Sequence, residues 1–121
     1  MSQAKVSMKV RLVGEQVSMI DIQGEVTALA EDMLMEAYAQ ASGGETRHII
    51  LNFSRLDHMN SSGIGLLVTL FSRANRQGQR LLFVSMSSHY RHIFDLTGLN
   101  QVITIYDTEA DALTAINALL D

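Results

Sequence analysis

His48-Ile49-Ile50-Leu51-Asn52-Phe53 runs, after a short polar stretch, into Met59-Asn60-Ser61-Ser62-Gly63-Ile64-Gly65. The first segment is a short continuous apolar run, the pattern of a strand covered on both faces, and it is the candidate for the centre of a sheet. The second opens an apolar segment that continues to Gly78, a helix starting near Ser61. A buried strand feeding directly into a helix is the unit from which α/β domains are built.

Upstream, Val6, Met8, Val10 and Leu12 alternate with Ser7, Lys9 and Arg11, the period-two signature of a strand with one buried face. Gly14-Glu15 interrupts the pattern before Val17 to Ile22, so two neighbouring strands joined by a short turn are expected, with Gly24 ending the pair. From Thr27 to about Ala41 the residues favour helix. Thr27 is the expected N-cap, Leu29, Met33 and Ala37 share a face, and Gly43-Gly44 is the stop.

Downstream, Leu81 to Val84 reads as a strand, Ser88 to about Leu96 as a helix closed by Gly98, and Val102 to Tyr106 as a last strand. A final helix places Leu113, Ile116 and Leu120 on one face. The expected fold is α/β: a single domain over residues 1–121, with a mixed sheet of four to five strands and about four helices packed mainly on one side.

Composition narrows the function. The chain is 47% hydrophobic and 18% charged, enough apolar material for a core. A net charge of −4 supplies no basic footprint for nucleic acid. The absence of cysteine removes disulfides and thiolate chemistry, and no stretch approaches the ~18 apolar residues of a membrane span. A cytoplasmic protein that binds neither nucleic acid nor membrane is the expectation.

The helix opening holds the distinctive chemistry. Asn60 or Ser61 can accept a hydrogen bond from an orphan backbone N–H, while Gly63 and Gly65 permit close packing. A hydroxyl at this place also suits phosphorylation, because the positive end of the helix dipole and its free N–H groups stabilise an anion. Further along, Ile64, Leu67, Val68 and Phe71 form a core-facing stripe, with Leu66 and Leu70 off its centre and Leu66 a candidate partner contact.

Enzyme constellations are missing from the pattern. His58 lies three residues before Ser61, but there is no Gly-x-Ser-x-Gly elbow and no sign of a group orienting the imidazole. His89 and His92 are spaced i, i+3 without a second ligand pair, and Gly63-Ile64-Gly65 is neither a dinucleotide fingerprint nor a Walker loop. The expectation is no catalytic residue, no cofactor and no metal.

Asn52-Phe53-Ser54 through Gly65-Leu66-Leu67, together with Phe94-Asp95-Leu96-Thr97-Gly98-Leu99, resembles the STAS domain of bacterial anti-sigma factor antagonists over nearly the entire chain. The most specific piece is the acidic residue, Ser, Ser/Thr, Gly, Ile/Leu, Gly pattern at the helix opening, where the family's phosphorylated serine corresponds to Ser61. Gly24-Glu25 resembles the family's turn after its second strand.

The resemblance implies docking onto an anti-sigma factor with serine-kinase activity, release of a sigma factor, phosphorylation at Ser61 with Ser62 as secondary candidate, and resetting by a serine phosphatase. ATP would be the kinase's substrate. Partner contacts are expected from Thr27, Asn60, Ser61, Ser62, Gly63 and Leu66. Two positions depart from the pattern: Asn60 stands where aspartate is usual, and Thr27 replaces an acidic residue. A non-cycling scaffold that assembles through sheet edges is the alternative.

Overall fold

The computed structural model describes residues 5–120, except for the side chain of Leu120; the expectation that Leu120 shares a face with Leu113 and Ile116 lies outside the described residues. In chain order the strands are β1 (Val6–Gly14), β2 (Val17–Val26), β3 (His48–Met59), β4 (Arg80–Val84) and β5 (Thr104–Tyr106). The helices are α1 (Glu31–Ala41), α2 (Ser61–Arg76), α3 (Ser88–Thr97) and α4 (Glu109–Leu120). Single 3-10 turns at Ala28–Ala30 and Leu99–Gln101 precede α1 and β5.

The five strands lie side by side in the order β1-β2-β3-β4-β5. β1 and β2 form an antiparallel hairpin closed over Glu15 and Gln16, and the remaining pairs are parallel. Gln16 takes the left-handed conformation at φ 63°, and its carbonyl accepts from the backbone N–H groups of Arg47 (2.8 Å) and His48 (3.0 Å). The hairpin turn thereby holds the entry of the central strand. His48 to Leu51 are all buried, as expected for a strand covered on both faces.

One face of the sheet carries Ile20, Ile22, Ile49, Leu51, Phe53 and Phe83, on which Leu34 and Tyr38 of α1, Leu67 and Leu70 of α2, and Phe94 of α3 are packed. Phe53, Phe83 and Phe94 meet edge to face at centroid distances of 5.0 and 6.0 Å, a geometry that adds to simple burial. The opposite face carries Val17, Met19, Ile50, Leu82 and Val84 under Ala112 and Ile116 of α4. Among the described residues three helices therefore share one side, and α4 alone covers part of the other.

The buried faces of two helices differ from expectation. In α1 the core side is Leu34, Ala37, Tyr38 and Ala41, while Leu29 and Met33 are 55% and 37% exposed. The cause is local: Thr27 caps a 3-10 turn at three residues per turn, not an α-helix at 3.6, so a phase counted from Leu29 is wrong by the time α1 begins. In α2 the buried line is Gly63, Leu67, Leu70 and Ala74, with Ile64, Leu66, Val68 and Phe71 half-buried to either side. The small residues Gly63 and Ala74 let the helix approach along that line, which brings Leu70 into the core.

Two ionisable groups tie stability to pH. His48 is buried, its Nδ1 has no hydrogen-bond partner among the described residues, and burial first, then the positive charge of Arg80, pushes its pKa below 6.5. The side-chain hydrogen bond from Arg11 holds Asp21 below 3.8 against the opposing effect of burial, with Asn52 contributing a further bond. For both groups the unfolded chain binds protons more readily, so their stabilisation is complete above the unfolded pKa and is lost as pH falls through it towards the folded value. The urea midpoint is expected to fall in two stages, below about pH 6.5 and again below about pH 3.8. His48→Gln should remove the His48 contribution to the upper stage and leave that of Asp21; an unchanged upper stage would exclude His48 as a source.

Candidate functional site

The junction between β3 and α2 is built from backbone. The Met59 N–H donates to the Tyr90 hydroxyl at 2.8 Å, so α3 clamps the end of the central strand. The next N–H, that of Asn60, donates to the Val26 carbonyl at 3.3 Å and fastens the helix opening to the end of β2. Asn60 itself is extended, with φ −101° and ψ −178°, as an N-cap residue should be.

Asn60 supplies the cap. Its Oδ1 accepts from the Gly63 N–H at 2.9 Å, and its carbonyl accepts from Ile64 N–H at 3.0 Å. Such a cap contributes about 1 kcal/mol. The alternatives of Asn60 and Ser61 are thus resolved in favour of Asn60, and Ser61 becomes the first residue inside the helix. Ser61 and Ser62 are both exposed, and among the described residues neither side chain makes a hydrogen bond.

Gly63 faces inward. A Cβ at this position would lie 2.0 Å from the Val26 carbonyl oxygen and 2.8 Å from its carbon, so the helix can rest on the end of β2 only because that atom is missing. Gly65, one half-turn on, is exposed, and a Cβ there would meet nothing within 4 Å. The two glycines of one motif therefore have opposite surroundings.

Thr27 comes directly after Val26 and is half-buried; its Oγ1 accepts from Leu29 N–H at 3.2 Å. The 3-10 turn it caps lies against α2. Thr27, Asn60, Ser61 and Ser62 are therefore gathered at one corner, with half-buried Leu66 one turn along α2 from Ser62 and the exposed apolar groups of Leu29 and Met33 on the adjoining element. Gly63 lies beneath this surface. The sequence pattern places Leu29 and Met33 on one face with Ala37, which is buried, so their exposure at this corner is not visible in it. Tyr90 carries no sequence signal at all, since nothing along the chain links it to Met59.

The electrostatics favour an anion at the corner. α2 is 16 residues long, has no acidic residue in its first turn, and carries Arg73 and Arg76 in its last. The partial positive charge of the helix start, roughly half an elementary charge, is consequently not neutralised by its own sequence. No group of three or more His, Cys, Asp or Glu side chains fit to hold a metal occurs among the described residues. No helix among them is long and apolar enough to cross a membrane.

Residues 9–112 match the STAS domain family, and the chain belongs to that family. It is 26% identical over 104 residues to the anti-sigma F factor antagonist of Paenibacillus polymyxa, covering 85% of this chain and 89% of that protein. Its fold is similar to that of an anti-sigma factor antagonist from Mycobacterium paratuberculosis, at a TM-score of 0.79 and 21% identity, covering 96% and 99% of the two chains. It is also similar to the Bacillus cell fate determinant SpoIIAA in its phosphorylated form, at a TM-score of 0.70 and 25% identity, covering 91% and 99%.

Proposed function

We propose that this STAS domain is an anti-sigma factor antagonist that docks, through the corner around Ser61, onto an anti-sigma factor with serine-kinase activity and is released when Ser61 is phosphorylated. The observation that carries the reading is the division of labour at the helix opening. Asn60 holds the cap, so the exposed Ser61 hydroxyl can be esterified without removing a bond on which α2 depends. The names of the relatives support the general role, and the phosphorylated form of SpoIIAA supports the modification.

In the forward step Ser61 Oγ attacks the γ-phosphorus of ATP held by the kinase, ADP leaves, and the hydroxyl proton passes to a base of the kinase. A serine phosphatase hydrolyses the ester, returning the hydroxyl and inorganic phosphate. This chain supplies the acceptor and the docking surface, acts in the cytoplasm, and holds no nucleotide of its own. Thr27, Asn60, Ser62 and Leu66 form the contact around Ser61; Gly63 serves it by setting the height of the helix. Ser62 is the secondary acceptor. Asn60 keeps the cap's acceptor oxygen without placing a carboxylate beside the phosphate.

Peptide mass spectrometry of the protein isolated from growing and stressed native cells tests the reading. Phosphate on Ser61 whose occupancy changes with condition is the expected result. An unmodified Ser61 under every condition would overturn the switch and favour a constitutive scaffold.

A further inference from the structure

On the second face of the sheet α4 packs over an apolar patch that includes Val17, Met19, Ile50, Leu82 and Val84. Beyond it the same face of β1, β2 and β3 is polar and forms an open concavity of about 530 Å³, a size within the range of small-molecule sites. We propose that this concavity is a binding site for a small oxyanion of the phosphate-ester or polycarboxylate class, held between Lys9 and Arg55.

The register of the strands assembles the site. Lys9, Asp21 and Asn52 form one row across the three strands, and Ser7, Gln23 and Arg55 form the next. Between these rows Ile22 of β2 stands opposite both Phe53 and Ser54 of β3, which is a β-bulge. In an unbroken register Ser54 would stand beside Gln23. The bulge sets Arg55 there instead, adding a cation to this face, and leaves Ser54 exposed at its side. Asn52 holds the bulge: its Oδ1 accepts from Ser54 N–H at 3.1 Å while its Nδ2 donates to Asp21 at 2.8 Å.

The floor is electrostatically occupied and the walls are not. Asp21 receives two bonds from Arg11, at 2.5 and 2.9 Å, plus the one from Asn52, so its charge is paired within the floor. Arg11 also reaches Glu109 at 3.3 Å. Among the described residues Lys9 and Arg55 take part in no ion pair. The lining holds three cations (Lys9, Arg11, Arg55) and one carboxylate (Asp21), and with Glu109 counted as the second partner of Arg11 the surplus is one positive charge in a chain of net charge −4. A concave surface concentrates such a field, and the flanking hydroxyls and amides of Ser7, Ser54 and Gln23 offer the donors an oxyanion needs.

The site faces away from α2, so it is separable from the reading of Ser61. Isotope-labelled full-length protein titrated with inorganic phosphate, with citrate, and with sodium chloride at matched ionic strength provides the test. Backbone amide shifts at Ser7, Lys9, Gln23, Ser54 and Arg55 are expected to saturate with phosphate or citrate and not with chloride. The double variant Lys9→Gln/Arg55→Gln should bind at least tenfold more weakly while its melting temperature stays unchanged. Tighter saturation by phosphate assigns the phosphate-ester class, and tighter saturation by citrate assigns polycarboxylates. Shifts that are linear, that match those of chloride, or that persist unchanged in the double variant would overturn the proposal.

Discussion

Gly63→Ala should destabilise the protein by about 3 kcal/mol or more, read as a large drop in the urea midpoint, whereas Gly65→Ala should stabilise it by about 0.5–1 kcal/mol. Both substitutions lie on the same helix and bring the same gain in helix propensity, so the difference between them isolates the contact. At Gly63 the added methyl group meets the Val26 carbonyl at 2.0 Å. A backbone oxygen cannot rotate away like a side chain, and relief requires the start of α2 to rise off β2. That movement would also strain the Asn60–Val26 bond at 3.3 Å and displace Ser61. At Gly65 the methyl group enters open space. If Gly63→Ala unfolded within about 1 kcal/mol of wild type, the close approach of α2 to β2 would be refuted.

Phosphorylation of Ser61 should lower the affinity for the cognate kinase at least a hundredfold, an effect of about 2.7 kcal/mol or more, while leaving the fold intact. The two halves of this expectation have separate causes. Within the protein, the added charge of about −1.5 to −2 sits at the positive end of α2, where it is tolerated or mildly favourable. Within a complex, the same group must be stripped of water against a partner surface shaped for a hydroxyl, and burial of an unpaired charge costs several kcal/mol. Calorimetric titration of the phosphorylated and unmodified proteins measures the affinities, with thermal melting as the control for folding. Ser61→Ala should bind without being phosphorylated, and Ser61→Asp should bind more weakly than wild type. Equal affinity of the modified and unmodified proteins would sink the switch.

The parts of the fold legible in the sequence are those in which one physical requirement dominates. His48 to Leu51 had to be buried on both sides, and Gly98 had to end α3 because the chain turns there at φ 77°. The stretch from Ser54 to Met59 could not be read as strand because two register shifts on β3 break the alternation of its side chains. The choice between Asn60 and Ser61 as cap was open because both residue types accept the same bond; only the extended backbone at Asn60 decides it. The site was legible as a motif but not as a surface. Leu29 and Met33 are exposed because a single 3-10 turn alters the phase at which α1 begins. The ion pair of Arg11 with Asp21 spans adjacent strands in a register that composition does not encode. Nor could periodicity say that α4 crosses to the second face, since an apolar stripe states that a helix is covered and not by which side of the sheet.

The order of the strands in space is also their order along the chain. Each strand synthesised on the ribosome therefore finds its neighbour already present, and the sheet can grow in one direction without leaving a gap for a later segment to fill. The antiparallel pairing of β1 with β2 closes a short loop, whereas each parallel pair waits for the helix that crosses between its strands. The corner formed by Val26, Thr27 and Asn60 to Gly63 is complete, apart from the hydroxyl of Tyr90, before β4 is made. α4 arrives last and seals apolar side chains on the far face. The growing chain thus assembles the proposed docking surface early and covers the apolar patch of the far face late, so the interval of greatest aggregation risk falls at the end of synthesis.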